Sequence, residues 1–266
     1  MTIMRIGDKG ADVRTLQSQL SANGYALVPD GHFGPATERA VREFQRYMGL
    51  VVDGIAGSKT LDALSGMRVD YLLQDKDLYR AAEALGVEVA VIRAVNAVES
   101  RGDGFFAAGQ PAILYERHIM RRRLLAAGIS VEGLPPSLVN TATGGYIGGL
   151  REYDRLASAI KIDRDCAHES CSWGAFQIMG FHWKALGYSS IDEFVSLMKR
   201  SEGDHLDAFV RFIQVNWTLQ AALQEKDWTA FARGYNGPAY WKHGYHHRMA
   251  AEYERISEED RTGMAA

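Results

Sequence analysis

Asp30-Gly31-His32-Phe33-Gly34-Pro35-Ala36-Thr37 returns downstream as Asp53-Gly54-Ile55-Ala56-Gly57-Ser58-Lys59-Thr60. Both copies read Asp-Gly-x-x-Gly-x-x-Thr, and each stands before a helical pattern. Asp-Gly makes a tight turn, because glycine accepts positive φ and aspartate hydrogen-bonds its own backbone. The second glycine frees the chain again where a helix starts, and Pro35 suits a first helical position, where its missing N–H costs nothing. After the first copy, Ala40, Val41, Phe44, Tyr47 and Met48 form an apolar stripe at helical spacing. Upstream, Val13, Leu16, Gln17 and Leu20 mark another helix, closed by Asn23-Gly24. The reading is a three-helix module over residues 1–66, followed by a short polar linker at 67–71.

Residues 72–266 read as one larger, mainly α domain. Helices are expected at roughly 75–100, 114–127, 148–162, 175–186, 191–200, 204–223, 227–233 and 245–257, with few and short strands. All five tryptophans (Trp173, Trp183, Trp217, Trp228, Trp241) fall in this domain. Large aromatics fill cores, and they also line sugar sites.

Composition narrows the function classes. At 266 residues the chain has room for one large domain or two smaller ones. Hydrophobic residues at 47% and charged residues at 24% are ordinary for a folded globular chain and exclude a disordered one. A net charge of −3 offers no basic field for nucleic acid. The N-terminal residues hold no apolar run long enough for a signal-peptide core. No stretch approaches the ~20 apolar residues of a spanning helix. We therefore expect a protein made in the cytoplasm, without stable membrane insertion and without a nucleic-acid partner; a monomer is also expected.

Cys166 and Cys171 are the only cysteines, which rules out a disulfide framework. They flank His168 in Cys166-Ala167-His168-Glu169-Ser170-Cys171. A structural zinc site takes four ligands, commonly with two residues between paired cysteines, and no second ligand pair is present. Free thiols in or near the core are expected, with no metal and no cofactor.

The chemistry centres on one carboxylate. Ile92, Val95 and Val98 repeat at helical spacing, while Ala90, Ala94 and Ala97 keep the helix slim enough to sit deep in a core. Glu99 follows Val95 by four and Ile92 by seven, so it projects from the same apolar face. Ser100-Arg101-Gly102-Asp103-Gly104 then stops the helix. The negative end of the helix and the apolar face both disfavour the anion, the direction a general acid needs. The plainer alternative pairs Glu99 with Arg101 or leaves it in solvent.

Three segments supply context. Ser172-Trp173-Gly174-Ala175-Phe176-Gln177-Ile178-Met179-Gly180 sets a glutamine beside a glycine turn entering a helix. Phe231-Ala232-Arg233-Gly234-Tyr235-Asn236-Gly237-Pro238 ends a helix with a Tyr-Asn pair. Pro111-Ala112-Ile113-Leu114-Tyr115-Glu116-Arg117-His118 places a second carboxylate after an apolar run.

These patterns resemble known families. Residues 5–65, with Gly10 to Gln17, Phe44-Gln45 and the two turn motifs, resemble the peptidoglycan-binding domain of many wall hydrolases. Asp30, Gly31, Phe33, Asp53 and Gly54 are its candidate wall-binding residues, and the same residues serve equally as fold residues. The order Glu99-Ser100, then Gly174-Ala175-Phe176-Gln177-Ile178, then Tyr235-Asn236-Gly237 resembles the lysozyme-like superfamily. More closely, 72–260 looks like the N-acetylmuramidase domain of endolysins from phages of Gram-negative hosts. Gly144-Gly145-Tyr146-Ile147-Gly148-Gly149 contributes to that match.

The resemblance implies a lysozyme-like helical domain that hydrolyses the β-1,4 bond between N-acetylmuramic acid and N-acetylglucosamine, for lysis of the host from the periplasmic side. Glu99 would protonate the leaving oxygen. Gln177, Asn236, Tyr235, Tyr146 and Trp173 would contact the sugars. Each has a plainer role: Gln177 capping local backbone, Asn236 accepting a turn, Tyr235 filling the core. For the second carboxylate, Glu116 comes first and Asp103 second, since glycosidases usually use two. Glu116 could equally be a structural ion pair with Arg117 or another cation. Glu169 and Arg121-Arg122-Arg123 read as solvated surface.

The rival readings are a lytic transglycosylase, which works with one carboxyl group and leaves 1,6-anhydro ends, and a non-catalytic wall-binding virion protein. A metallopeptidase would want a His-Glu-x-x-His cluster, and none occurs. A cysteine peptidase would rest on Cys171 alone.

Overall fold

The computed structural model describes residues 3–99, 104–106 and 109–262. The chain divides into two compact units, Met1–Asp77 and Leu78–Ala266.

In the first unit the repeated motif is a repeated piece of structure. Helices α1 (Ala11–Ala22), α2 (Pro35–Met48) and α3 (Ser58–Leu64) follow the expected order. Gln17 on α1 donates Nε2 to Asp30 Oδ1 at 2.8 Å, the His32 carbonyl at 2.9 Å and Thr37 Oγ1 at 3.0 Å, and its Oε1 accepts from Gly31 N. Gln45 on α2 repeats the scheme on Asp53 Oδ1 at 2.8 Å, the Ile55 carbonyl at 3.0 Å, Thr60 Oγ1 at 3.1 Å and Gly54 N. Each glutamine amide thus ties one helix to the turn that starts the next. Both turn glycines need positive φ, 79° at Gly31 and 73° at Gly54.

Val13, Leu16, Leu20, Phe33, Val41 and Phe44 fill the core between the helices. Val69 and Leu72 are buried in this same core. The stretch read as a linker at 67–71 therefore packs onto the first unit, because its apolar residues gain more from burial than from solvent. The division falls at Asp77, beyond the expected boundary at 72.

The second unit begins within α4 (Asp75–Leu85). Gly86 stops that helix, and α5 (Val89–Glu99) starts anew, where the sequence suggested one helix over 75–100. α5 packs most extensively on the last helix, α13 (Tyr245–Thr262). Its small residues Ala90 and Ala94 meet Ile256, Trp228 and Tyr253. The remaining helices are α6 (Arg117–Ala126), α7 (Glu152–Ile160), α8 (Arg164–Glu169), α9 (Ile191–Met198), α10 (Glu202–Gln214), α11 (Trp217–Gln224) and α12 (Trp228–Asn236).

A small antiparallel sheet sits among them: β1 (Ile113–Tyr115), β2 (Cys171–Trp173) and β3 (Ile178–Met179). Ile113 pairs with Trp173, Leu114 with Ser172, and Ser172 with Met179. Two helical expectations fail here. The helix read at 114–127 begins only at Arg117, and the stretch 175–186 holds the turn, β3 and a 3-10 turn at Gly180–His182 instead of a helix. Cross-strand pairing decides both, and neither stretch shows it by its own periodicity.

The β2–β3 turn is braced from below. Gly174, at φ 71°, has a Cβ position within 2.5 Å of the His205 ring, so no side chain fits there. Buried His205 accepts from Ala175 N at Nδ1 (3.2 Å), which leaves Nε2–H to donate to the Met198 carbonyl at 2.7 Å.

Candidate active site

Alternation along β1 and β2 separates cleft from core. Successive strand residues face opposite sides. Leu114, Ser172 and Met179 share the face that lines a cleft of about 660 Å³, and Glu116 continues it past the end of β1. Tyr115, Cys171 and Trp173, one residue out of phase, are buried. Trp173 is 1% exposed and donates its indole N–H to the His168 carbonyl at 3.1 Å. It is a core residue and not a sugar platform, which corrects the expectation from sequence. None of the other four tryptophans lines this cleft.

Glu99 ends α5 at the cleft wall, 9% exposed on a helix buried along its length. Its Oε2 accepts from Asn236 Nδ2 at 2.9 Å. Asn236 closes α12, and Tyr235 beside it packs among Phe209, Phe212 and Phe231. The Tyr235 hydroxyl donates to the Phe176 carbonyl at 2.8 Å. Burial, and then the nearby Glu99 charge, push this phenol well above its ordinary pKa of 10.0, so it stays a donor.

Glu116 stands at the N-terminus of α6 without capping it. Tyr146 donates its hydroxyl to Glu116 Oε1 at 2.7 Å, and His118 Nδ1 lies 3.1 Å from Oε2. Desolvation and then the bond to Glu116 push the Tyr146 phenol up to about 12, so it remains the donor. Arg117 is not the partner of Glu116. It donates to the carbonyls of Pro136, Ala142 and Thr143. Asp103, the second choice, lies outside the described residues, as does the helix stop at Ser100-Arg101-Gly102.

Behind Tyr146 sits a fully buried carboxylate. Glu152 accepts from Ile147 N (2.7 Å), Gly148 N (2.9 Å), Tyr115 N (3.1 Å) and Arg155 Nη1 (2.8 Å). It therefore fixes both β1 and the glycine-rich loop that presents Tyr146 to Glu116. Sequence reading passed over it, although a Glu three residues before an Arg on an apolar helix face is a visible signal.

Gln177 lines the cleft, but its amide is engaged locally. Nε2 donates to the Gly174 carbonyl at 2.8 Å, and Oε1 accepts from Ser172 Oγ at 2.7 Å. It holds the turn, in a left-handed conformation at φ 51°. Cys166 and Cys171 are free and buried. Burial pushes the Cys166 thiol up to about 12 and the Cys171 thiol well above its ordinary 9.0, which removes the thiolate that a cysteine nucleophile needs. Glu169 is not solvated surface: at 7% exposure it accepts from Arg123 and from the Trp183 indole.

His182, Phe212, Tyr245 and Arg248 also line the cleft and were not singled out from sequence. A signal for Arg248 existed. The first turn of α13 carries His246, His247 and Arg248 and no acid, against the preference for acidic residues at a helix N-terminus. Such local rule-breaking concentrates at functional sites.

In the first unit, Asp30, Gly31, Asp53 and Gly54 build the two turns, and Phe33 is 1% exposed inside the core. Their visible work is structural.

Comparison with known proteins agrees with this division. The N-acetylmuramidase family model matches residues 88–257, and a peptidoglycan binding domain model matches residues 9–64. The crystal structure of a Burkholderia AP3 phage endolysin superposes with a TM-score of 0.90 at 52% identity, covering 97% of this chain and 100% of that one. Among curated relatives, a zinc D-Ala-D-Ala carboxypeptidase of Streptomyces albus G is 43% identical over 74 residues, and a spore cortex-lytic enzyme of Bacillus cereus is 48% identical over 63. Those alignments span 27% and 24% of the respective relatives, about a quarter of their length. Among the described residues no helix is long and apolar enough to cross a membrane. With the family model covering most of the second unit and the binding-domain model most of the first, the chain belongs to the N-acetylmuramidase family and carries a peptidoglycan-binding domain ahead of its muramidase domain.

Proposed function

We propose that the protein is a modular endolysin that hydrolyses the β-1,4 bond between N-acetylmuramic acid and N-acetylglucosamine, with Glu99 as general acid and lysis of the host cell as its role. The observation that carries this reading is Glu99 itself: a nearly buried carboxyl group at the end of α5, opening into a cleft whose sheet face also presents Glu116. In the reaction, Glu99 delivers its proton to the glycosidic oxygen as the C1–O bond breaks, and a water supplies the hydroxyl that ends on C1 while its other proton passes to a carboxylate of the cleft. Glu116, held by the Tyr146 hydroxyl and with His118 Nδ1 3.1 Å from its Oε2, assists from the second carboxylate position.

A second carboxylate lining the same cleft favours hydrolysis over a transglycosylase, which works with one. The first unit, by its match to peptidoglycan-binding domains, holds the enzyme on the wall and raises the local concentration of bonds to cut. In this proposal the enzyme acts on the cell wall, reached from the periplasmic side.

Mass spectrometry of fragments released from purified peptidoglycan tests the assignment. Reducing N-acetylmuramic acid ends are expected. Products one water lighter, with 1,6-anhydro ends, would make the enzyme a transglycosylase, and reducing N-acetylglucosamine ends would move the cut to the other bond.

A further inference from the structure

We infer that Arg248 is a specificity residue, receiving the carboxylate that the muramoyl sugar carries on its lactyl ether side arm or on the peptide attached to it. The inference rests on the glycan-cleaving reading of the cleft. Among the described residues, Arg248 is the only lysine or arginine lining that cleft. Among them, too, its guanidinium has no hydrogen-bond or ion-pair partner, although Glu99 and Glu116 line the same space. Glu116 is engaged by the Tyr146 hydroxyl instead.

The surroundings reinforce the attraction for an anion. Arg248 sits in the first turn of α13, where free backbone N–H groups carry partial positive charge and no acidic side chain offsets it. Tyr245, three residues earlier and so on the same helix face, also lines the cleft. A glycan of alternating N-acetylated sugars is uncharged along its backbone. Its anionic groups hang from the muramoyl residue, as a free lactyl carboxylate or as carboxylates of the attached peptide. A planar guanidinium, always charged and forked, matches a carboxylate with two parallel N–H···O bonds. Arg248 would thus distinguish the muramoyl sugar from its neighbour and set which bond lies at Glu99.

The experiment measures kcat/KM for the full chain and for Arg248→Gln and Arg248→Lys on three substrates. These are intact peptidoglycan, glycan stripped of peptides by an amidase, and stripped glycan whose lactyl carboxylates have been converted to amides. The wild type should prefer the charged over the amidated glycan by about 10- to 100-fold, the scale of one charge-assisted bidentate contact. Arg248→Gln should lose that preference and cut both at similar rates, with the loss in KM more than in kcat. Arg248→Lys should keep part of it. Loss on stripped glycan assigns the lactyl carboxylate, and loss confined to intact peptidoglycan assigns the peptide. The melting temperature should not move, since Arg248 has no internal partner among the described residues to lose. An Arg248→Gln protein as fast as wild type on both intact peptidoglycan and charged stripped glycan, or one slowed equally on all three substrates, overturns the inference. Failure of the catalytic reading looks different, because Glu99→Gln would then leave every rate intact.

Discussion

Asn236 Nδ2 donates to Glu99 Oε2 at 2.9 Å, joining the C-terminal ends of two helices, α12 and α5. The amide that the sequence suggested for sugar binding is spent, at least in part, on the carboxyl group proposed as the general acid. Asn236→Ala should therefore lower kcat by about tenfold, in the range of one hydrogen bond to a charged group, with a smaller change in KM. Asn236→Asp sets a second carboxyl against the first. Two like charges at hydrogen-bond distance hold a proton to higher pH as a coupled pair. The alkaline limb of the rate profile should then move upward. Unchanged kcat and pH profile in both variants would reduce Asn236 to a helix terminus.

Glu99→Gln keeps an acceptor for Asn236 and the shape of the side chain but has no proton to deliver. Turnover in a muropeptide-release assay should fall by at least ~10²–10⁴-fold, the range of general acid–base catalysis. Wall binding should persist, and the melting temperature should stay level or rise, because a nearly buried carboxyl at a negative helix end is removed. Near-normal turnover in this variant removes the central assignment.

Glu116→Gln separates catalysis from structure. The amide can still accept from the Tyr146 hydroxyl, and the contact with His118 is partly exposed, so stability should change by less than ~1 kcal/mol. Activity should fall by ~10²-fold or more. Tyr146→Phe should show a milder loss. NMR of the first-formed product then assigns the role of Glu116: retained configuration fits a nucleophile, and inverted configuration fits a base toward water. A drop in melting temperature with activity following it would make Glu116 structural.

Glu152→Gln should act on stability first. Burial opposes the Glu152 anion, yet the N–H groups of Gly148, Ile147 and Tyr115 together with Arg155 hold its pKa below the ordinary 4.5. A carboxyl depressed in the folded state stabilises above its unfolded pKa and loses that contribution as pH falls through the folded value. At pH 7 the substitution leaves Arg155 buried without its counter-charge, at a cost of roughly 3–5 kcal/mol. Thermal melts should show the gap between wild type and variant shrinking as pH drops below about 4.5. A constant gap across that window would assign the loss to packing.

In the first unit, Gln17→Ala or Gln45→Ala should each destabilise the module by roughly 1–3 kcal/mol, since a buried threonine hydroxyl, backbone groups and an aspartate lose their partner together. Full chains with either substitution should melt earlier in a first, separate transition. Co-sedimentation with sacculi should weaken with the module's unfolding and be normal below that transition. Loss of wall binding without loss of structure would assign the glutamines a direct contact.

The sequence by itself determined the local items. The twice-written Asp-Gly-x-x-Gly-x-x-Thr specified two turns and two helix starts, because glycine φ, the aspartate turn and the proline at Pro35 act within a few residues. The slim apolar face of α5 placed Glu99 correctly at a buried helix end, since a 3.6-residue period needs no distant partner to be read. Tertiary structure decided what depends on pairing between distant segments. Strands of two or three residues carry almost no period of their own, so only the Leu114–Ser172 register told cleft from core. That register turned Trp173 inward and Glu116 outward, a difference of one residue in phase. The bonds Asn236–Glu99, Tyr146–Glu116 and Tyr115–Glu152, and the approach of Arg248 to the cleft, join elements far apart in the chain. Hydrogen bonds across such distances leave no periodicity to read, and the fold alone brings them together.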